Sequence, residues 1–309
     1  MRGKRLRWLN RPVRIYRECT RGRGKLLRKT AVVMDSTGYL TQDILEKFQI
    51  RVVPLNVTIG EETFAETEIS TLDFLSKLRR SSAFPTTSQP SVGDFLRVYE
   101  DLFAAGAESI VSLHLSEGLS GTVVAARMAR DLATKHDVHV LDSGTGALAF
   151  GLLAWAAAEW AEAEVPVQRI VERLQELKRE TRLYFILETL ENLRRGGRIG
   201  GGAALVGTLL QIKPILYVNE KGQIDVFAKV RSRTKAWQRV QDELAKDLAS
   251  GRPYRICVQH VGSPDLGEKI AYELRREYPE QEIRVFGAGP VIATHVGQGA
   301  FGLAYLPWP

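Results

Sequence analysis

Residues 109–126 read SIVSLHLSEGLSGTVVAA. The apolar run Ser109–Leu113, with β-branched residues, has the pattern of a buried strand. It gives way to a loop of small and hydroxylated residues, Ser116–Thr122, and a helix opens near Leu119. The same order of strand, small polar loop and helix recurs on either side. Thr30–Met34 (TAVVM) runs into Asp35-Ser36-Thr37, and Thr41–Phe48 has helical spacing. Val138–Leu141 runs into Asp142-Ser143-Gly144-Thr145-Gly146, and an Ala-rich helix follows from about Thr145. Strands alternating with helices predict a parallel sheet covered by helices. Arg51–Ile59 reads as one further strand, turned by Gly60. Ser70 and Ser91 each have an aspartate three residues on, a capping-box pattern. The polar residues 85–90 between those two helix starts read as a linker.

The second half starts beyond a charged helix, Pro166–Arg179. Leu183–Leu187 reads as a strand, and Glu188–Arg195 looks helical until Gly196-Gly197 ends it. Pro214–Val218 and Gln223–Lys229 flank Asn219-Glu220-Lys221-Gly222, a hairpin signal. Helices near 232–249 and 265–277 alternate with strands near 254–260 and 282–287. The expected fold class is α/β in two domains. Residues 30–180 would hold a mainly parallel sheet and residues 181–309 a mixed sheet, with residues 1–29 a flexible basic tail.

The composition, 44% hydrophobic and 26% charged over 309 residues, is that of a soluble globular protein. Cys19 and Cys257 are the only cysteines, which excludes a disulfide framework and any multi-cysteine metal site. The five histidines show no His-x-x-x-His spacing, and no metal is expected. The longest apolar run, the 12 residues Ala147–Ala158, falls short of the about 20 that span a bilayer. It reads as a buried helix. The net charge of +7 is uneven: residues 1–29 hold 12 Lys/Arg and one Glu, leaving 31 basic and 35 acidic residues for the body. A weakly acidic body argues against nucleic acid as a partner. The tail reads as a solvated arm, with peripheral contact to anionic lipid as its functional alternative. It has no apolar h-region for a secretory signal, and a cytoplasmic protein is expected.

Ligands of open α/β sheets bind beyond the carboxyl ends of the strands, at a topological switch point. The three polar loops would converge there. They are rich in hydroxyls and carry no Lys or Arg, and the Ser143-Gly144-Thr145 segment lies at a helix start. Neutral hydroxyls at a helix N-terminus suit a single carboxylate better than a polyphosphate. Singly, Asp35, Ser36, Asp142 and Ser143 also read as caps and turn formers. No Walker A motif is present. Gly144-x-Gly146-x-x-Ala149 and Gly297-x-Gly299-x-x-Gly302 imitate a dinucleotide fingerprint. Asp142-Ser143 separates the first from its strand, and only seven residues follow the second. Gly118-Leu119-Ser120-Gly121-Thr122 imitates a nucleophile elbow. The alternative function is therefore an acyl or lipid hydrolase using Ser120 with His260 or His295. Abundant apolar residues (Leu205–Leu210, Ile212, Pro214–Leu216, Val291-Ile292, the Trp155 helix) include candidates to line a long acyl pocket. Each buried methylene there would contribute about 0.8 kcal/mol.

Seven ordered segments carry a further pattern: Asp35-Ser36-Thr37; PTTSQPS at 85–91; Leu115-Ser116-x-Gly118-Leu119-Ser120-Gly121-Thr122; Asp142-Ser143; LENLRRGGRIG at 190–200; Lys213-Pro214-Ile215-Leu216; and Gly289-Pro290 with His295. From about 30 to 307 the chain resembles the DegV family of bacterial lipid-binding proteins, and is similar to the fatty-acid-binding subunit of bacterial fatty acid kinase. The resemblance implies two α/β domains with a long-chain fatty acid in a tunnel between them. It implies a non-catalytic carrier without a cofactor, whose partner is a separate ATP-dependent kinase subunit that forms the acyl phosphate. Thr87 and Ser120 would then bind the carboxylate, with His295 beside them and Ser36, Ser116 and Ser143 as candidate pocket neighbours. Arg194, Arg195, Arg198 and Arg231 become candidates for the kinase-facing surface. Glu117 stands where the family often has a second serine. It is expected to point to solvent, since inward it would repel the ligand. Val296-Gly297-Gln298-Gly299 follows His295 where Gly-Pro-Gly is commoner.

Overall fold

The structure, a computed structural model, describes residues 28–201 and 212–308. Nearly all of the basic tail (1–27) and the apolar run Leu205–Leu210 lie outside the described residues. β1 (Thr30–Asp35) leads through a 3-10 turn to α1 (Gln42–Lys47) and β2 (Arg51–Val53). The hairpin β3 (Asn56–Ile59) and β4 (Glu62–Ala65) precedes α2 (Thr71–Arg80), β5 (Thr86–Ser88) and α3 (Val92–Ala104). Then follow β6 (Ser109–His114), α4 (Thr122–Leu132), β7 (Asp137–Asp142), α5 (Ala147–Glu162) and α6 (Val167–Glu180). The second half comprises β8 (Arg182–Ile186), α7 (Glu191–Arg195), β9 (Lys213–Val218), β10 (Ile224–Val230) and α8 (Arg233–Leu248). It ends with β11 (Tyr254–His260), α9 (Pro264–Glu277), β12 (Glu282–Gly287), α10 (Pro290–Val296) and β13 (Phe301–Pro307).

These elements form two α/β domains. The first is built on a four-stranded sheet, order β2-β1-β6-β7, parallel throughout. The second is built on a six-stranded mixed sheet, order β10-β9-β8-β13-β11-β12, in which only β11 and β12 run parallel. A small antiparallel sheet, β4-β3-β5, accompanies the first domain.

Three sequence expectations need correction. Arg51–Ile59 is two strands: β2 stays in the parallel sheet and β3 joins the small one. Pro54 between them has no N–H for a ladder. Residues 85–90 are not a plain linker. Thr86–Ser88 is the edge strand β5, with Thr87 opposite Val57 of β3. The strand β13 was not anticipated from its glycine-rich approach, yet it lies between β8 and β11 with all seven residues buried.

The Ala-rich α5 explains its own composition. It packs against Val32, Met34 and Val111 of the parallel sheet and against Cys257, Ala304 and Leu306 of the mixed sheet. A helix covered on both sides has no face to leave polar. Among the described residues, no helix is long and apolar enough to cross a membrane. A second apolar cluster joins the domains elsewhere, with Val57 and Phe74 against Leu190, Leu216, Ile224 and Ala293.

Candidate functional site

The switch point between β1 and β6 is held by a buried carboxylate. Asp35 Oδ1 accepts from the Thr37 N–H (3.0 Å) and hydroxyl (2.6 Å), and Oδ2 accepts from the Leu115 N–H (3.0 Å). Asp35 Oδ2 also meets His114 Nδ1 at 3.3 Å, His114 Nε2 lies 2.7 Å from Ser112 Oγ, and Ser112 Oγ lies 2.8 Å from Tyr99. This Ser–His–Asp contact imitates a triad. All three side chains are fully buried, so they hold the sheet's carboxyl edge rather than meet a substrate.

The loop after β6 then enters a cavity of about 260 Å³. Its polar wall is formed by Thr87, Gln89, Ser120, Arg198 and His295, and its apolar wall includes Leu55, Leu119 and Val291. Thr87, on β5, lies 2.9 Å through Oγ1 from His295 Nε2, on α10. Ser120 Oγ lies 2.9 Å from Thr122 Oγ1, next to the first turn of α4. That turn holds no acidic residue and its N-cap, Gly121, offers no side chain, so its N–H groups and dipole favour an anion. The Arg198 Nε donates to Leu119 O (3.1 Å) and its Nη1 to Gly196 O (2.7 Å), which fixes a cation in the wall. His295 is pushed down to about 4, first by burial and then by the Arg198 guanidinium. It is therefore neutral near pH 7.

A second cavity, of about 70 Å³, lies beside this one. The two share Leu119, Ile224, Ile292 and Val296 in their walls. Apart from Gln259 and His260 the lining side chains of the second are apolar, from Leu183 and Phe185 of β8 and Leu187 just after it to Ala300 and Phe301. A chamber with a polar wall thus lies against an apolar channel, the two sharing four wall residues.

The structure thus brings Thr87, Ser120 and His295 together. It also brings Arg198, which the sequence had grouped with surface arginines. Arg194 and Arg195 are exposed, one paired with Glu191 (2.6 Å) and the other stacked 4.0 Å over the Phe84 ring. Arg231 is exposed as well. Ser36, Ser116 and Ser143 do not line the chamber. Ser116 Oγ donates to Gly222 O (2.9 Å), tying the loop to the β9–β10 turn, and Ser143 Oγ bonds Thr145 O (3.2 Å) within its own turn. Glu117 is exposed and pairs with Arg127 at 2.5 Å.

Ser36 belongs to a network that sequence reasoning missed. Its hydroxyl accepts from the Leu55 N–H (3.1 Å) and donates to Glu66 Oε2 (2.5 Å). Glu66 Oε1 accepts from Tyr39 OH (2.6 Å) and the Val291 N–H (2.8 Å), and Tyr39 OH accepts from the Ile292 N–H (3.1 Å). Leu55, Val291 and Ile292 all line the chamber. The Glu66 cluster therefore anchors its walls from behind and seats the first turn of the helix that carries His295. Burial pushes the Glu66 carboxyl up to about 7, against the three hydrogen bonds that lower it. No signal in the stretch ETFAETE marks this acid as buried.

Comparison with known proteins agrees with this architecture. A model of the DegV family ("Uncharacterised protein, DegV family") matches residues 29–307. A DegV domain-containing protein of Listeria innocua is 42% identical over 278 residues, covering 90% of this chain and 98% of that one. The crystal structure of DegV, a fatty acid binding protein from Bacillus subtilis, superposes with a TM-score of 0.85 at 36% identity, covering 91% of this chain and all of the other. A fatty-acid-binding DegV family protein from Thermus thermophilus does so at 0.85 and 34%, with the same coverage. With a family match along the whole described body and relatives at this identity, the chain belongs to the DegV family.

Proposed function

We propose that this chain is a cytoplasmic, non-catalytic carrier that holds one long-chain fatty acid and presents its carboxylate to a separate ATP-dependent kinase for acyl phosphate formation. The observation that supports the reading is a hydroxyl-lined chamber set against an apolar channel, with Leu119, Ile224, Ile292 and Val296 in both walls. Neutral His295, protonated at Nε2, donates to Thr87 Oγ1, and this leaves the Thr87 hydroxyl free to donate to a carboxylate oxygen. Ser120 donates to the other oxygen, with Thr122 as its support, while Arg198 and the α4 N-terminus offset the negative charge. The acyl chain extends along β8 and β13, and each methylene removed from water contributes about 0.8 kcal/mol. The relatives described as fatty acid binding support the ligand class.

Hydrogen bonds to a charged group contribute about 1.5–3 kcal/mol. Thr87→Ala and Ser120→Ala are each expected to weaken fatty acid binding by about tenfold or more. A fluorescent fatty acid displacement assay reads this directly, and an unchanged Kd in the double variant contradicts the head-group assignment. Exposed Arg194, Arg195 and Arg231 are the candidate kinase-facing residues. Their alanine variants should keep fatty acid affinity and lose acyl phosphate formation when a DegV-partner kinase is supplied. In the hydrolase alternative Ser120 would need a base, but its hydroxyl contacts Thr122 while His295 contacts Thr87. Turnover of activated acyl esters that Ser120→Ala abolishes would favour that alternative.

A further inference from the structure

One residue in the apolar channel does not match its surroundings. On adjacent strands of the mixed sheet, Gln259 of β11 lies opposite Gly302 of β13, and Gly302 lies opposite Phe185 of β8. The three therefore share one face of the sheet, the face that forms the channel floor. All three line the channel. Gly302 has no side chain, and a Cβ there would come within 3.0 Å of Phe185 Cβ.

Gln259 is only 6% exposed. Its Oε1 accepts from the Leu148 N–H at 3.2 Å, at the start of α5. A backbone N–H can only donate, so this contact identifies which end of the amide is oxygen. The other end is the NH₂, and among the described residues Nε2 has no hydrogen-bond partner. A buried donor without an acceptor is costly; apart from His260, whose Nδ1 accepts from the Ser263 N–H at 3.2 Å, the remaining wall carries only hydrocarbon side chains. A fully saturated, unsubstituted chain passing Gln259 would leave that donor unpaired. A chain bearing an oxygen at the same depth would pair with it.

Resting on the fatty-acid reading above, we propose that Gln259 is a specificity-determining residue that selects acyl chains carrying an oxo or hydroxyl oxygen partway along their length. The chamber with Thr87 and Ser120 reads the carboxylate, and Gln259 reads the body of the chain. An oxo group suits the site best, because it accepts from Nε2 and brings no donor of its own. The residue acts through one hydrogen bond and has no part in holding the head group.

The test is competition binding with stearate and panels of oxostearates and hydroxystearates in which the oxygen moves along the chain. The wild-type protein should bind at least one mid-chain oxostearate about five- to tenfold more tightly than stearate, the scale of one newly satisfied buried donor. Gln259→Leu should abolish or reverse this order while leaving stearate bound. The proposal is overturned if no position in either panel improves on stearate, or if the preference survives Gln259→Leu. Should Gln259→Leu fail to fold, the wild-type ranking across the panels decides alone. Stearate bound without any gain from the oxygen removes only this inference. A wild-type protein that binds none of the acids removes the fatty-acid reading with it.

Discussion

At the scale of single residues, two buried groups titrate in opposite directions. His295 is held at about 4, below the ordinary histidine value, by burial and Arg198. Between about pH 6.5 and that value the unfolded chain takes up a proton that the folded one refuses, so stability falls as the pH falls through this window. Glu66 is held at about 7, above the ordinary carboxyl value, by burial. From about pH 4.5 upward the folded chain keeps a proton that the unfolded one has released, so stability falls as the pH rises to about 7 and levels off above it. Glu66→Gln copies the protonated acid. Its amide oxygen can accept from the Val291 N–H and Tyr39 OH, and its NH₂ can donate to Ser36. Relative to the wild type, the Tm of Glu66→Gln should therefore rise between pH 5 and pH 8, by the equivalent of about 1–3 kcal/mol. A difference that stays constant with pH contradicts the buried-acid assignment. That Thr87, Ser120 and His295 share one cavity was legible through the family resemblance. Glu66 and Gln259 were not, because a polar residue on a short strand or in a turn reads as solvated until the covering element is known. Only α10 reveals Glu66, and only the register of β13 reveals Gln259.

At the scale of elements, close approaches do the positioning. Gly196, just past α7, has ordinary helical backbone, but a Cβ there would lie 2.4 Å from His295 Nδ1. Gly196→Ala should push the imidazole off Thr87 and weaken fatty acid binding about tenfold, with a small change in Tm. Equal Kd values for Gly196→Ala and wild type count against a role for His295. The capping box at Ser91, by contrast, supports α3 away from the chamber: Ser91 Oγ accepts from the Asp94 N–H and Asp94 accepts from the Ser91 N–H. Ser91→Ala should cost about 1 kcal/mol, or about 2–4 °C in Tm, with binding unchanged. Calorimetry and displacement together separate the two cases. Long elements with clear periodicity were legible, including the capped helices, the parallel strands and the β9–β10 hairpin. The short strands β2, β3 and β5 were not, since Pro54 interrupts one run and Thr86–Ser88 has a loop's composition. Their pairing is decided by tertiary contact rather than by local pattern.

At the scale of the molecule, the channel exists only while the domains stay apposed. Arg255 is one tie between them. Its guanidinium lies 3.5 Å from the Trp155 ring centre and 3.2 Å from that of Trp308, and it pairs with Glu159 of α5 at 3.3 Å and Glu282 of β12 at 2.6 Å. Arg255 is 4% exposed, whereas Glu159 and Glu282 are part-exposed and Glu282 also pairs with Arg284 at 2.8 Å, so the removal of Arg255 is felt first in the stack between the two indoles. Arg255→Ala should cost about 2 kcal/mol or more, and Arg255→Lys should rescue little, because an ammonium cannot stack as a plane between two indoles. Thermal unfolding of the two variants checks this, and full rescue by lysine argues against stacking.

The central claim concerns what fills the space between the domains. Native mass spectrometry of the purified chain, followed by solvent extraction, measures it directly. The account predicts one long-chain acid per chain, released intact by solvent and lost or greatly reduced in the Thr87→Ala/Ser120→Ala double variant. A wild-type chain at its bare mass that also takes up no added long-chain fatty acid would contradict it.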